Sequence, residues 1–458
     1  MLRKSTAART TFACRECGQT SPKWEGRCPS CGSWNTLEEQ AAQPRGRTAG
    51  RAQGRPANSA AAELAGITGA PSVRLESGMA EVDRVFGGGI VPGSVSLVAG
   101  EPGIGKSTLL LQLSEAIATT GRRVLYVCGE ESVGQVQLRA QRLGVAGRNL
   151  FLLPAGQVEA VLEEIAVAPP AVIVVDSIQT MSTSQLDAVA GTSTQIQAST
   201  HLLTEQAKAR NVPIIMTGHV TKEGVIAGPR LLEHAVDVVL YLEGDSSSGL
   251  RLLRGVKNRF GPTDEVGVFE MRGDGMVEVS DPSGVFLNAR SPATPGSALA
   301  TVIEGTRPFT IEVQALTAPS SLPVPRRLAS GLDSSRLALV AAVLGRRLGV
   351  GLGSQDIIVN VPGGLKVREP AVDLAVALAI VSSLRDTPVR DGTAAAAEIG
   401  LGGELRPVAQ CGRRAAEAAR LGIPHFIVAA AGGDMALDKA FVGVGSLAEA
   451  VEFALPGR

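Results

Sequence analysis

The sequence predicts an α/β chain: a doubly wound, largely parallel sheet at its centre, a small cysteine-held module before it and an α+β domain after it. Three observations predict this. Gly100-Glu101-Pro102-Gly103-Ile104-Gly105-Lys106-Ser107 has the spacing G-x-x-x-x-G-K-S between an apolar run and a helix-period segment. Short apolar runs at 95–99, 124–128, 171–176, 213–217 and 236–242 alternate with helical patterns. Cys14, Cys17, Cys28 and Cys31 form two C-x2-C pairs ten residues apart.

The central stretch comes first. The run 95–99 reads as a buried strand, and the segment from Thr108 to Thr120, ending at Gly121, reads as an amphipathic helix. That strand–loop–helix context separates a phosphate loop from a chance glycine-rich turn. The glycines let the backbone close round an anion with N–H groups inward, and the helix N-terminus adds positive potential. Gly100 to Thr108 is therefore the candidate ATP-binding loop. Lys106 is placed to reach the β- and γ-phosphates and Ser107 to hold Mg2+. The five apolar runs are nearly continuous, as parallel strands covered on both faces should be. The loop then sits at the carboxyl end of the first strand.

Two acidic positions extend the site. Asp176 ends the run Val172-Ile173-Val174-Val175, the Walker B arrangement that orders Mg2+. Glu130 and Glu131 follow the strand 124–128, and a carboxylate there can polarise an attacking water as general base. Glu130 is the candidate and Glu131 competes for the role; a solvated strand-end acid is the alternative for each.

The four cysteines have the spacing of a tetrahedral zinc site. Four thiolates leave no open position, so the Zn2+ is expected to be structural and to supply the folding energy of a module too short for its own core. Two disulfides are the competing reading, disfavoured in a cytoplasmic chain. Cys128 lies in an apolar run and reads as a small core residue.

At 458 residues, two or three domains are expected. Hydrophobic content of 44% and charge of 19% describe a globular chain. Net charge is zero, so nucleic acid must be held by local basic patches rather than by a global field. Aromatics are 3%, so phosphate contacts rather than base stacking should dominate such binding. The first nine residues are polar and basic with no apolar stretch behind them, unlike a secretory signal. The most apolar run, 371–384, carries Asp373 and is too short to span a bilayer, so a cytoplasmic protein without membrane contact is expected. The expected divisions are 1–40, the cysteine module; 41–70, a basic linker; 71–282, the ATP-binding domain; and 283–458, the third domain. The linker carries Arg45, Arg47, Arg51 and Arg55, and reads as a solvated tether or a phosphate-binding arm.

Gly87-Gly88-Gly89-Ile90-Val91-Pro92-Gly93, the phosphate loop and Tyr126-Val127-Cys128-Gly129-Glu130-Glu131-Ser132 together resemble the RecA-type ATPase core. The four-cysteine module and Lys257-Asn258-Arg259-Phe260-Gly261 narrow the resemblance to the bacterial RadA (Sms) family, over nearly the whole chain and in the right order. The resemblance implies an ATP-driven motor on single-stranded and branched DNA. Such a motor extends heteroduplex by branch migration in RecA-dependent recombination and break repair, with the RecA recombinase as partner. It also implies a homo-oligomeric ring, a hexamer, with ATP at each subunit boundary.

Lys257 and Arg259 lie two apart on an extended segment and point the same way. They are candidates to reach a neighbouring subunit's nucleotide, as an arginine finger does, and to contact DNA; a surface basic pair is the alternative. His219 follows the run 213–217, where the resemblance implies a γ-phosphate sensor; a plain strand-end histidine is the alternative. The loop 221–230 carries Lys222 and Arg230, candidate DNA contacts, and the segment 191–197 is a weaker candidate. His201, His234 and His425 read as structural.

After Pro282 the pattern changes. Phe309, Ile311, Val313 and Ala315 alternate with Thr310, Glu312 and Gln314, a half-buried strand. Helical runs follow at 334–348, 370–384 and 411–421, with a strand at 425–429. This domain resembles the proteolytic domain of Lon, which needs a Ser–Lys dyad. Matching the family's segments puts Ala371 at the nucleophile, and the 407–414 segment has no lysine, with Gly412 nearest the dyad position. Acyl transfer then has no nucleophile–base pair, and the expectation is a scaffold inactive as a protease. Arg346, Arg347, Lys366 and Arg368 are either phosphate contacts or a solvated basic face. Two other functions stay open: a nucleotide-switched recombination adaptor without motor activity, and an ATP-dependent protease.

Overall fold

The computed structural model describes residues 11–14, 20–21, 23–29, 32, 34–40, 73–219, 231–244, 249–287, 294–362, 365–430 and 441–456. By internal contacts the chain divides into Met1–Tyr241 with Val256–Gly261, and Leu242–Gly255 with Pro262–Arg458. The boundary drawn from composition at 282 lies further along the chain, because the strands between 262 and 282 go with the second unit.

The first unit opens with a small antiparallel sheet. Strand β1 (Thr11–Cys14) pairs with both β2 (Thr20–Ser21) and β3 (Leu37–Gln40). Its core, among the described residues, is Cys14, Cys28 and Leu37 with Phe12 packed against them, far too little apolar surface to fold unaided.

The larger part of the unit runs α1 (Ala80–Phe86), β4 (Val95–Gly100), α2 (Lys106–Thr119), β5 (Val124–Cys128), α3 (Val133–Arg142), β6 (Leu150–Leu153), α4 (Val158–Val167), β7 (Val172–Asp176), α5 (Ser193–Arg210), β8 (Ile214–His219), α6 (Leu231–Ala235) and β9 (Val238–Glu243). Strands β4, β8, β7, β5 and β6 form a parallel ladder in that order. Every residue of β4, β5 and β7 is buried, which is why their sequences are nearly continuous apolar runs, broken by Ser96 and ending in Asp176. Strand β6 is an addition to the predicted set. It is four residues long, partly exposed and last in the sheet order, so it carries little pattern. Helix α2 begins at Lys106, two residues before the predicted start, because Gly105 is its N-cap with φ of 115°. The end of the phosphate loop and the start of the helix are one structure.

The end of β9 and strand β10 (Leu250–Asn258) cross the division between units. The second unit continues with β11 (Val266–Arg272), β12 (Gly275–Glu278), α7 (Pro282–Leu287), β13 (Ser297–Glu304), β14 (Arg307–Pro319), β15 (Arg327–Ser330), α8 (Ser334–Arg347), β16 (Gln355–Asn360), α9 (Asp373–Arg385), β17 (Thr393–Ala396), β18 (Glu398–Ile399), β19 (Leu405–Arg406), α10 (Cys411–Arg420), β20 (His425–Ala429), β21 (Phe441–Val444) and α11 (Leu447–Ala454). A mixed sheet orders β15-β16-β14-β13-β17-β20-β21. The half-buried strand expected around 309–315 is corrected here. Thr310 and Glu312 are buried along with Phe309, Ile311 and Val313, because α7, α9 and α10 all pack against β14. Alternation reaches the surface from Gln314 onward, where Gln314, Leu316 and Ala318 are exposed. No helix among the described residues is long and apolar enough to cross a membrane.

Candidate nucleotide site

The site is built where β4 ends. The chain leaves Gly100, turns through Gly103 at φ 77° and Gly105 at φ 115°, and enters α2 at Lys106. Both angles lie where side chains are rarely tolerated, so the glycines of the motif are required by the backbone. A Cβ at Gly103 would meet nothing within 4 Å, so the space over the loop is open for a ligand. Lys106 is buried, and its Nζ donates to the carbonyls of Gly100 (2.9 Å) and Glu101 (3.0 Å). Burial pushes its amine below the usual lysine range, while Asp176 and Glu130 draw it back up. Ser107 and Thr108 occupy the first turn of α2, beside Lys106.

Asp176, at the end of β7, is gripped from both neighbouring strands. Tyr126 Oη on β5 donates to Oδ2 (2.7 Å), and Thr217 Oγ1 on β8 donates to Oδ1 (2.7 Å). Burial first, and Asp176 second, hold the Tyr126 phenol well above its usual value, so it stays protonated and keeps donating. Neither partner was singled out from sequence; the one signal was a tyrosine tip inside an otherwise apolar run.

The two candidate bases separate. Glu131 pairs with Arg139 of α3 (2.5 Å). Glu130 instead accepts from Ser177 Oγ, next in the chain to Asp176, and lies close enough to Lys106 to raise its pKa. Gly129 makes this approach possible. A Cβ there would lie 2.1 Å from Thr180 Oγ1, and its N–H donates to Asp176 O (2.9 Å).

His219 is the last residue of β8 and stands in register opposite Gly100, at the mouth of the loop. Its side chain, and the whole loop 221–230 with Lys222 and Arg230, lie outside the described residues.

Lys257 and Arg259 both contact the 233–237 segment. Lys257 Nζ donates to the carbonyls of Glu233 (2.6 Å) and Val236 (2.7 Å), at the end of α6. Burial and then Arg259 hold its amine below the usual lysine range. Arg259 Nη1 stands 3.5 Å from Asp237 Oδ1, and its side chain is 55% exposed. Asp237 is buried and its Oδ2 accepts from Val95 N (3.1 Å), the first residue of the strand that carries the phosphate loop. Arg74 adds a second tie, donating to Phe86 O (2.9 Å), Gly89 O (3.2 Å) and Phe260 O (2.7 Å). The glycine-rich 87–89 turn and the 257–261 segment are thus stapled together. Sequence reasoning missed Arg74 and Asp237, whose partners are remote in the chain.

In the N-terminal module, Cys14 and Cys28 are buried in one small cluster, and Cys28 O accepts from Gly32 N (2.9 Å) in a tight knuckle. Cys17 and Cys31 lie outside the described residues. Buried thiols brought together on a knuckle fit a zinc donor set.

In the second unit, Ala371 is buried in the turn before α9, where it can supply no nucleophile. The basic group of this region is the buried Arg414 of α10. It is committed to a bidentate pair with Glu369 (2.8 and 2.6 Å) and donates to Thr301 O (2.7 Å). A guanidinium so held is no general base. Asp373 pairs in the same way with Arg336 (2.9 and 2.5 Å).

Comparison with known proteins agrees with this geometry. A family model described as an AAA domain matches residues 39–225, one described as a rubredoxin metal binding domain matches 12–39, and one described as subunit ChlI of Mg-chelatase matches 335–432. A solved structure of the flagellar accessory protein FlaH from Methanocaldococcus jannaschii gives a TM-score of 0.37 at 18% identity, covering 46% of this chain and 99% of that one, a likeness too loose to carry an argument. The DNA repair protein RadA of Listeria monocytogenes is 47% identical over 456 residues, covering 98% of this chain and 99% of that one. RadA of Bacillus subtilis is 44% identical over 454 residues, covering 98% and 99%. RadA of Mycolicibacterium smegmatis is 46% identical over 426 residues, covering 92% and 91%. Identity of 44–47% running the length of the chain, through the cysteine module, the phosphate loop and the Lon-like domain, shows that it belongs to the RadA family of DNA repair proteins.

Proposed function

We propose that the chain is a DNA-stimulated ATPase motor that moves branch points in recombination intermediates, working with the RecA recombinase as a homo-oligomeric ring. The observation that carries this is the convergence of Lys106, Asp176 and Glu130 at the end of β4, with His219 in register beside Gly100. Lys106 turns from its loop carbonyls to the β- and γ-phosphates of ATP. Ser107 and the doubly anchored Asp176 hold Mg2+, which neutralises phosphate charge when bound. Glu130 takes a proton from the attacking water. His219 relays the state of the site into the loop after β8. Cys14, Cys17, Cys28 and Cys31 hold one Zn2+; elemental analysis should find one zinc per chain, lost in Cys28→Ala while ATP turnover without DNA persists.

Lys257 and Arg259 take different parts in this reading. Lys257 braces the end of α6 from within its own subunit, while the exposed guanidinium of Arg259 exchanges its long contact with Asp237 for a neighbouring copy's nucleotide. Arg259→Ala should leave ATP binding near normal and reduce DNA-stimulated hydrolysis. Mixing it with Lys106→Ala subunits should restore partial activity, since some boundaries then carry neither lesion. No recovery at any ratio, with subunit exchange confirmed by fluorescence, would rule out action in trans.

The function itself is tested by measuring ATP turnover with and without single-stranded DNA, beside a branch-migration assay. Stimulation together with strand movement supports the motor. Stimulation without movement selects the nucleotide-switched adaptor.

A further inference from the structure

We propose that the N-terminal module is a base-stacking platform for single-stranded DNA, built on Trp24 and Trp34. The chain has two tryptophans, and both are in this module and on its surface, 55% and 70% exposed. An indole is among the costliest side chains to leave in water, and these two are held there by specific contacts. Trp24 Nε1 donates to Leu37 O (3.1 Å), which leaves its ring fixed and its N–H satisfied. The Arg27 guanidinium lies 5.7 Å from the centre of the Trp34 ring. Arg27 is itself locked by donating Nε–H to Gly32 O (2.8 Å), on the Cys28 knuckle. The platform therefore inherits its rigidity from the cysteine-held turn.

Gly26 lies near both rings. A Cβ at Gly26 would stand 3.9 Å from Cη2 of Trp24 and 3.9 Å from Cζ3 of Trp34, so the two ring ends are at most about 8 Å apart. Lys23 and Arg27 are exposed in the same stretch, as is Glu25, so cations outnumber acids beside the rings and can meet backbone phosphates. A protein partner would also accept exposed indoles, but neighbouring indoles beside a surplus of cations match the bases and phosphates of nucleic acid more closely. Low aromatic content had argued against stacking. The structure concentrates what aromatic surface there is, and stacking depends on where the rings are rather than on how many the chain has.

This inference rests on the DNA reading above but can fail separately from it. Because Trp24 and Trp34 are the chain's only tryptophans, intrinsic tryptophan emission of the unmodified full-length protein reports on this module alone. The experiment titrates it with a thymidine oligomer and with an abasic oligomer of equal length, following emission and, in parallel, fluorescence anisotropy of labelled DNA. The thymidine oligomer should quench emission saturably, and the abasic one should bind about tenfold more weakly with little quenching. Trp34→Ala should lose about tenfold in affinity and Trp34→Phe should recover most of it, with zinc content unchanged in both. DNA binding with unchanged emission, equal affinity for both oligomers, or no response to either would overturn the platform. Quenching in a protein whose ATP turnover ignores DNA would sink the motor and leave the platform standing.

Discussion

Lys106→Ala should lower ATP turnover by about two to three orders of magnitude or more, the scale set by losing one preorganised charge on a developing phosphate. Lys106 is the side-chain cation of the phosphate loop, and it faces the two carboxylates that would otherwise repel the nucleotide. The backbone amides of the loop and the N-terminus of α2 remain in the variant, so ATP binding weakens less than hydrolysis. The loop's shape rests on Gly103 and Gly105, and alanine is well tolerated in the first turn of a helix, so the fold should persist. Steady-state ATPase and far-UV circular dichroism measured together give the check. Turnover near that of the unmodified chain, with the fold intact, would refute the site.

Glu130→Gln should cost about 10²–10⁴-fold in hydrolysis, the usual contribution of a positioned general base. Glu131→Gln should cost little by comparison. The two residues are adjacent and chemically alike, so the contrast isolates geometry. Glu130 is held by Ser177 beside Asp176, whereas Glu131 is drawn off by Arg139 into a half-buried ion pair. Single-turnover hydrolysis, with binding of a fluorescent ATP analogue as the control, separates chemistry from affinity. The amide keeps the shape of the carboxylate but cannot take a proton, so Glu130→Gln should trap bound ATP. A larger loss from Glu131→Gln would reverse the assignment.

The second unit makes a separate point about buried charge. Arg414 and Glu369 lie where the resemblance to Lon would place catalysis, and their pairing turns that region into a cross-link between α10, β13 and the turn before α9. Removing either partner would strand a charge, at a cost of about 3–5 kcal/mol. Ala371 lies buried in the same region, in the turn that follows Glu369.

Much of this molecule is legible in its sequence because the features concerned are local. A phosphate loop is one strand end, one turn and one helix start, so eight consecutive residues encode its shape. The nearly continuous apolar runs of β4, β5 and β7 follow from burial on both faces. The cysteine pairs encode a knuckle by spacing alone. What the tertiary structure alone decided depends on contacts between residues far apart in the chain. Tyr126 and Thr217 reach Asp176 across separations of 50 and 41 residues, and nothing near Asp176 in the sequence announces them. Which of Glu130 and Glu131 lies beside Asp176 turned on which one faced Ser177 and which faced Arg139. Thr310 and Glu312 were assigned to an exposed face by alternation, but that face of the strand is buried as well. Nothing in the pattern around Trp24 and Trp34 says that the fold leaves both rings outside. Spacing encodes the backbone of a site; which side chains converge on it is set by packing, where one face of one strand meets another.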